Sequence, residues 1–504
     1  MASSHRQILR SSSIVGGASL VNLVLGLVRM KAAALILGPA GVGLIGLFQN
    51  LVTTCSSVAG MGVGGAANVQ LAAQRAEHGD KGEALVRRAL FSATLFLALV
   101  GAAVTWAARE PIARVALRDE GYSGAVGWLA IGVALTVALN SQNALLTGLR
   151  RIGDLGRVTL VSGLLATIAS LISLFWLGSG AILLFVISFP LANFLVAAFY
   201  TSRLPKPVLH NHNIALSALS REWRALASLG FAMMLSGLIV AVGQLMVRGL
   251  IQERLGLVEL GQFQAAWTVS MTYIVLVLQA MAADYYPRLS AAMKDRDTAN
   301  RLVNEQTEVV LLLAGPVLLV ILGGAPWILH LIYSSEFRDA AAVLRWQILG
   351  DLLMVASWPT SFILIAAGGG RMFVATQFLA TAVFVALTWF LLPVMGVEAA
   401  GVAFLGMYLA YCAAVYLAAR RSIGFRPQAG NMRLLGYLAT AAGVIFVTCM
   451  VSPLAGFALA CVIAAAMLAL AADRLEEALP GPIAAQVAKV RGVLIAFLRP
   501  PWRR

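Results

Sequence analysis

Long, mostly apolar runs recur along the whole chain, and a helix needs about 20 such residues to cross the hydrocarbon of a bilayer. The runs fall at 11–37, 42–73, 89–108, 123–149, 158–178, 181–202, 225–250, 261–285, 303–324, 341–367, 372–393, 398–419, 434–452 and 455–472. They predict fourteen spanning helices. The links between them alternate in character. One set comprises Gly38–Gly41, 109–122, Gly178–Gly180, 253–260, 325–340, 394–397 and the turn near Ser452–Pro453. The other comprises Arg75–Arg88, Arg150–Arg157, Arg203–Arg224, Arg288–Arg301, Arg371, Arg420–Arg433 and both ends of the chain.

Composition turns this pattern into a class. Of 504 residues, 60% are apolar and only 12% are charged, and the mean hydropathy is +0.87. A soluble globular protein averages about 25% charged. So few charges cannot cover the surface of a water-soluble particle this large, and the fold expected is an all-α polytopic membrane protein. The second set of links, with the termini, holds 28 of the 37 Lys and Arg residues; the first holds 7 when Arg248 and Arg345 at the adjoining helix ends are included, and Arg29 and Lys31 lie inside the first span. Cytoplasmic loops are enriched in both residues, so both termini are expected in the cytoplasm. The same bias accounts for the net charge of +15 without a nucleic-acid partner.

The four cysteines (Cys55, Cys412, Cys449, Cys461) lie in apolar stretches without ligand-like spacing, so neither disulfides nor structural zinc are expected. Residues 1–13 are polar and the first apolar run outlasts a signal h-region, which argues against a cleaved signal peptide. After Ala472, Pro480 and Pro482 break the chain. Ile483, Val487, Val490, Leu494 and Phe497–Leu498 then alternate with Lys489, Arg491 and Arg499. That pattern fits a basic amphipathic helix on the anionic inner leaflet, and equally an unstructured basic tail.

A weak internal repeat adds organisation. Gly38 and Gly43 match Gly256 and Gly261 at an offset of 218 residues, which carries Arg248 to position 30, between Arg29 and Lys31. Six spans separate the copies, and an even number gives a parallel repeat about an axis along the membrane normal. The expected organisation is an N-lobe at 1–203, a cytoplasmic linker at 204–224 and a C-lobe at 225–421. Two appended spans at 434–472 and the basic tail at 473–504 complete it. Two six-helix lobes around a central cavity suit alternating access.

No motif for soluble chemistry is present: G-x-x-x-x-G-K-[ST], H-E-x-x-H and G-x-S-x-G are all missing. The five histidines (His5, His78, His210, His212, His330) lie in loops or near helix ends, His210-Asn-His212 reading as solvated loop. No catalytic residue and no metal or organic cofactor is expected. Any transport is secondary or driven by another protein, with a proton or sodium ion as the coupling ion to consider.

Charges inside spans carry the information, because Lys, Arg or Asp at a span centre costs about 2.5–3.5 kcal/mol and usually faces a cavity or a partner. Arg29 and Lys31 sit about 13 and 10 Å below the outer end of the first helix, about 200° apart around its axis. At least one can line a cavity and bind an anion, while Lys31 can equally snorkel to headgroups. Arg248 lies at the outer end of span 7, where an anion ligand and a headgroup anchor are both open. Asp351, ten residues into span 10 and about 15 Å down, has no basic neighbour at i±3 or i±4, and Arg345 is poorly placed to pair with it. Its partner must therefore come from another helix, as a coupling site or a structural ion pair. Asp284 is near the cytoplasmic end and marks the interface. Gln49, Asn50, Asn68, Gln70, Asn140, Gln142, Asn143, Gln244 and Gln264 can hydrogen-bond sugar hydroxyls or join helices to one another. The run Gly60-Met-Gly-Val-Gly-Gly65 permits close helix approach or local bending.

The segment Lys31-x6-Gly38-Pro-Ala-Gly-Val-Gly43, continuing through Phe48-Gln49-Asn50 to Gly60-x-Gly62, resembles the first hairpin of bacterial O-antigen and lipid III flippases. So do Leu146-Thr-Gly-Leu-Arg-Arg151 and the run from Arg248 through Leu260-Gly-Gln-Phe-Gln264 to Tyr286-Pro-Arg-Leu-Ser290. Leu344-Arg-Trp-Gln-Ile-Leu-Gly-Asp351 is a further match. These proteins form the polysaccharide transporter branch of the multidrug/oligosaccharidyl-lipid/polysaccharide exporter superfamily. The similarity runs from about residue 8 to 421. It implies a flippase of the bacterial inner membrane that moves undecaprenyl-diphosphate-linked oligosaccharide (an O-antigen, enterobacterial common antigen or exopolysaccharide unit) to the periplasmic leaflet. Alternating access without ATP would drive the movement, alongside polysaccharide polymerase machinery.

On this resemblance Arg29, Lys31 and Arg248 would bind the diphosphate. Gln49, Asn50, Asn140, Asn143, Gln244 and Gln264 would face the sugars, and Asp351 falls in the family's span 10 motif. Family members commonly have about twelve spans, so 434–504 departs from the pattern. Fourteen are shared with lipid II flippases, which keeps a peptidoglycan precursor open as substrate. A cation-coupled multidrug exporter would favour buried carboxylates over these cations. A membrane-embedded polymerase or ligase would carry a sizeable outer loop, and the outer loops here run to only about fourteen to sixteen residues.

Overall fold

A computed structural model describes residues 2–204 and 216–476 of the chain. The expectations for His210, His212, most of the 204–224 linker and nearly all of the 473–504 tail lie outside the described residues. Among the described residues every regular element is helical. The chain opens with α1 (Ala2–Gly60) and α2 (Val63–Ala107). A short α3 (Arg109–Ile112), a π-helical turn at Ala113–Leu117 and a 3-10 turn at Glu120–Tyr122 then lead into α4 (Ser123–Gly148). Next come α5 (Ile152–Leu177), α6 (Ile182–Ser202), α7 (Leu216–Leu255) and α8 (Leu257–Ala292). They are followed by α9 (Arg296–Ile332), α10 (Ala340–Ala366), α11 (Gly370–Met395) and α12 (Glu398–Ile423). The last two are α13 (Ala429–Val451) and α14 (Pro453–Glu476).

Ten helical stretches among the described residues are long and apolar enough to cross a membrane. Two of them, Gly17–Gly60 with 44 residues and Ile152–Ser202 with 51, exceed the about 20 residues of one crossing. Each is interrupted once, at Gly38 and at Gly178–Ala181. Gly38 has φ 64°, a conformation open to glycine, and Pro39 starts the next helical leg where its missing N–H costs nothing. The expectation of one continuous span over 42–73 is corrected here. The helix ends at Gly60 and restarts at Val63, because Met61 and Gly62 both take positive φ. Hydropathy does not register that break, since glycine is not polar. The basic link expected at Arg75–Arg88 is itself helical on both sides of a single non-helical residue, Gly79.

The solvent of this fold is legible in what it exposes. Phe91, Phe175, Trp176, Phe390, Val394 and Val451 all stand out from the helices, an arrangement that suits acyl chains and not water. Inward faces carry small residues instead, among them Ala33, Ala34, Ala66, Ala67, Ala399 and Ala400, which let membrane helices approach closely. By packing, the chain forms two compact units. One is Met1–Gln264 with Ile332–Glu336; the other is Ala265–Leu331 with Phe337–Arg504.

In the second unit α13 and α14 are built into the bundle. Leu438 fills the notch left by Gly315 of α9, Phe457 and Ala460 lie over Gly323 and Gly324, and Trp346 of α10 meets Phe446. The Asn304 side-chain oxygen accepts from the Gln428 N–H at 2.8 Å, and Asn431 donates to the Asn304 carbonyl at 2.8 Å.

Asp295 starts α9. Its carboxylate accepts from the Thr298 hydroxyl and from the Asp297 N–H, and these bonds, the hydroxyl's first, hold its pKa below the ordinary 3.8. A lowered carboxylate stabilises above its unfolded value and loses that contribution as pH falls through the folded one. The first turn of α9 is therefore expected to loosen only below about pH 4. Amide exchange at 296–299, compared at acidic and neutral pH after correction for intrinsic rates, checks this; no added exchange in acid would count against the cap.

Candidate functional site

Within the first unit, α7 crosses α1 and α2 at close range and encloses a polar interior. The crossing is set by glycine on both sides. Gly62 has φ 66°, and a Cβ there would overlap the Gly230 carbonyl, while a Cβ on Gly230 would overlap the carbonyl of Met61. Toward one end of α7, Gln70 donates to the buried Glu222 carboxylate at 2.9 Å, and the Trp223 indole donates to the Ser92 hydroxyl at 3.2 Å. Toward the other, Asn50 donates to the Gln244 side-chain oxygen at 3.3 Å, and Arg118 pairs with Glu253 at 3.5 Å.

Arg248 lies one turn beyond Gln244 and is 3% exposed. Its Nε donates to the Gln264 Oε1 at 3.1 Å, its Nη1 donates to the Gln244 carbonyl at 3.2 Å, and its guanidinium carbon stands 5.5 Å from the centre of the Phe263 ring. Gln264 reaches it because position 46 is glycine: any Cβ there would overlap the Gln264 amide. Four of the residues singled out in the sequence (Asn50, Gln244, Arg248 and Gln264) thus form one connected cluster.

Arg29 is elsewhere. Its guanidinium carbon lies 5.0 and 5.4 Å from the centres of the Phe185 and Phe189 rings of α6, and its Nε is buried without a hydrogen-bond partner among the described residues. Cation–π contacts of this kind are worth about 0.5–2 kcal/mol, and they tie Arg29 to α6. Lys31 is half-buried on the same helix. The Gln49 carbonyl accepts from the Thr53 hydroxyl within α1.

Asn140 and Asn143 take part in a second feature, a cavity of about 400 Å³ bounded by α1, α2, α4 and α7. Ser56, Ser57, Asn68, Thr94, Ser141 and Thr147 join them on its wall, with Gly62, Gly64, Gly65 and Gly237 leaving the space open. No Lys, Arg, Asp or Glu lies among the lining residues. The carbonyl oxygens of Asn68 and Asn143 are buried and have no hydrogen-bond partner among the described residues. The hydroxyls were not singled out in the sequence, because serine and threonine in a spanning helix ordinarily bond their own backbone.

The carboxylate singled out as a coupling or ion-pair candidate lies in the second unit. Asp351 is fully buried, and the Ser270 hydroxyl of α8 donates to its Oδ2 at 2.7 Å. Among the described residues its Oδ1 has no hydrogen-bond partner, and neither do the amide atoms of the fully buried Gln347, one turn earlier on α10. Among the described residues no basic side chain pairs with Asp351, so the ion-pair alternative lacks its cation there. Gln347 was absent from the candidates although it stands in the 344–351 motif at i−4 from Asp351, the spacing that puts both on one helix face.

An all-helical bundle with lipid-facing apolar flanks and amides, an arginine and a carboxylate buried inside defines a multi-pass membrane protein of transporter build. The polysaccharide biosynthesis protein family matches residues 33–342, and the chain belongs to that family. The lipid III flippase of Escherichia coli (strain K12) is 24% identical over 430 residues, covering 82% of this chain and 99% of the relative; that of Shigella flexneri matches equally. Among solved structures, the inward-closed lipid II flippase MurJ superposes with a TM-score of 0.67 at 13% identity, covering 91% of this chain and 98% of that one. An inward-facing multidrug resistance MATE transporter of the MOP superfamily gives 0.66 at 18% identity, covering 80% and 94%. These two likenesses establish the fold.

Proposed function

We propose that this chain is a flippase of the bacterial inner membrane, with both termini in the cytoplasm. It carries undecaprenyl-diphosphate-linked oligosaccharide from the cytoplasmic to the periplasmic leaflet by alternating access. The observation that carries this reading is the cavity of about 400 Å³ whose mixed wall sets amides and hydroxyls among Val63, Leu97, Val137 and Met234, and whose volume lies in the ordinary range for ligand sites. Such a wall offers amide and hydroxyl partners to a hydroxyl-rich group. The lipid III flippases that match nearly the whole of their own length support the substrate class.

In this reading Arg248, with its donors aligned by Gln244 and Gln264, meets the diphosphate when the passage opens, since guanidinium forks suit phosphate oxygens. Lys31 supplies a second charge, while Arg29 seats α1 against α6. Asn140 and Asn143 face the sugars, and Asn50 with Gln264 sets the cluster. Asp351, buried beside Gln347 and Ser270 with no basic partner among the described residues, is the coupling site: a carboxylate so placed takes up a proton or a sodium ion. The multidrug-exporter reading is weaker, because the cavity of the first unit offers an organic cation no carboxylate.

The test is rescue of a deletion strain in which lipid-linked glycan builds up on the cytoplasmic leaflet. The wild-type chain is expected to restore surface glycan. Lys31→Ala is expected to lower the rate about tenfold, one charge-assisted contact being worth about 1.5–3 kcal/mol. Asp351→Asn is expected to leave a folded protein whose flipping no longer responds to an imposed proton or sodium gradient. Drug resistance without surface glycan would replace this reading with the exporter, and an unchanged gradient response would remove Asp351 from coupling.

A further inference from the structure

The second unit holds a cavity of its own, about 450 Å³ in volume, between α9, α10, α12, α13 and the link at 425–427. Leu311, Ala356, Ala413, Val415, Phe425 and Leu435 give it an apolar wall. Several of its polar members are already engaged by the protein. Thr307 donates to the Val303 carbonyl at 2.8 Å, Ser357 to the Met354 carbonyl at 3.1 Å and the Cys412 thiol to the Leu353 carbonyl at 3.3 Å. Asn304 and Asn431 bond to each other, and Asn304 also bonds to the link. A space so lined gives water few partners, and hydrocarbon suits it better.

The cavity opens sideways. Ala413 of α12 and Met432 of α13 both line it and both stand exposed, Met432 at 54%. Ala413 lies ten residues before Ile423 at the end of α12, so the groove runs about 15 Å from the link. That is half of the about 30 Å hydrocarbon core, the reach of one acyl chain in one leaflet. A polyprenyl tail is much longer and would leave most of its length outside. The end at the link is basic. Arg426 stands exposed between two wall residues, Phe425 and Pro427. Its N–H donates to the Asn300 side-chain oxygen at 3.0 Å, and its carbonyl accepts from the Asn304 amide at 3.1 Å, which fixes its backbone there. Arg433 follows the wall residue Met432 and is exposed too. Residues 399–472 include four arginines and no Asp or Glu, so the segment brings no carboxylate to neutralise them.

We infer that this groove seats one acyl chain of an anionic glycerophospholipid, with the lipid phosphate at Arg426 and Arg433. With the termini in the cytoplasm, as proposed above, the lipid belongs to the inner leaflet. The inference stands apart from the flippase reading, since it concerns a lipid bound by the second unit and not the cargo. It is tested by native mass spectrometry on the purified full-length chain, titrated with lipids of identical oleoyl chains. Dioleoyl phosphatidylglycerol is the anionic probe and dioleoyl phosphatidylethanolamine the zwitterionic one. Polyprenyl monophosphate is the third.

Phosphatidylglycerol is expected to bind at least about tenfold more tightly than phosphatidylethanolamine, given two arginines beside an anionic headgroup. The double variant Arg426→Gln/Arg433→Gln should bring the two lipids level. Arg371→Gln, on α11, which gives the groove no wall residue, should leave the preference intact. Ala413→Trp, which fills the opening from the lipid side, should abolish saturable binding of both phospholipids; Ala413→Leu, a smaller plug expected to weaken both, replaces it if the tryptophan variant unfolds at a lower temperature than wild type. Equal binding of the two headgroups overturns the inference, as does wild-type binding by the double variant or by a folded Ala413 variant. Polyprenyl monophosphate binding more tightly than phosphatidylglycerol, and losing that binding in the Ala413 variant, would give the groove to a polyprenyl tail and overturn it as well.

Discussion

Arg248→Ala protein is expected to fold less stably and to flip substrate at least about tenfold more slowly. The stability loss comes from the side-chain acceptor left behind: Gln264 Oε1 loses its guanidinium donor inside the bundle, while the Gln244 carbonyl keeps the backbone N–H of residue 248 within α7. A buried unsatisfied acceptor costs about 1–3 kcal/mol. The rate loss comes from the guanidinium itself, if it meets a phosphate oxygen during transport. Two further substitutions separate the effects. Arg248→Lys keeps the charge but cannot serve two acceptors with one fork, and should fall between wild type and alanine. Arg248→Met keeps much of the volume and removes the charge. Thermal unfolding in detergent reads the first effect and flipping in proteoliposomes the second. A methionine variant that flips at the wild-type rate would assign Arg248 to structure alone.

Gly62→Val is expected to leave little folded protein. Its φ of 66° is left-handed, which costs an L-residue about 1–2 kcal/mol and a β-branched one more. The larger obstacle is the added Cβ, which would overlap the Gly230 carbonyl and so meet backbone, where no rotamer change gives relief. Gly230→Val should fail for the same reason from the other side, against Met61. Gly26→Ala is the control: nothing lies within 4 Å of its Cβ position, and alanine favours the helix by about 1 kcal/mol. The yield of monodisperse protein after solubilisation distinguishes them. Near-normal yields for both valine variants would mean that α2 and α7 do not need this crossing.

What the sequence disclosed and what it hid divide along one physical line. The apolar blocks make the chain a helical membrane protein because bilayer thickness fixes a length that hydropathy can count. Gly38-Pro39 announces its kink because glycine and proline restrict the backbone locally. Gln244, Arg248 and Gln264 stand out as polar residues in apolar surroundings. Their meeting does not, since it depends on Gly46 admitting the Gln264 side chain from another helix. The run Gly60–Gly65 permits a bend or a close approach, yet it does not name Gly230 as the partner, because a glycine's packing partner is set by tertiary structure. Arg29 looks like a substrate ligand by residue type, and only the placement of Phe185 and Phe189 shows what surrounds it. The cavity hydroxyls do not stand out in the sequence, because serine and threonine in a spanning helix ordinarily bond their own backbone.

The grooves that Gly315, Gly323 and Gly324 cut into α9 have a bearing on how short such a protein can be. A version ending at Ile423 would open three empty notches to lipid tails and deprive Asn304 of the chain that shares its amide. The terminal hairpin is thus a keystone of its own half, and twelve helices of this sequence would not amount to the same molecule with two removed.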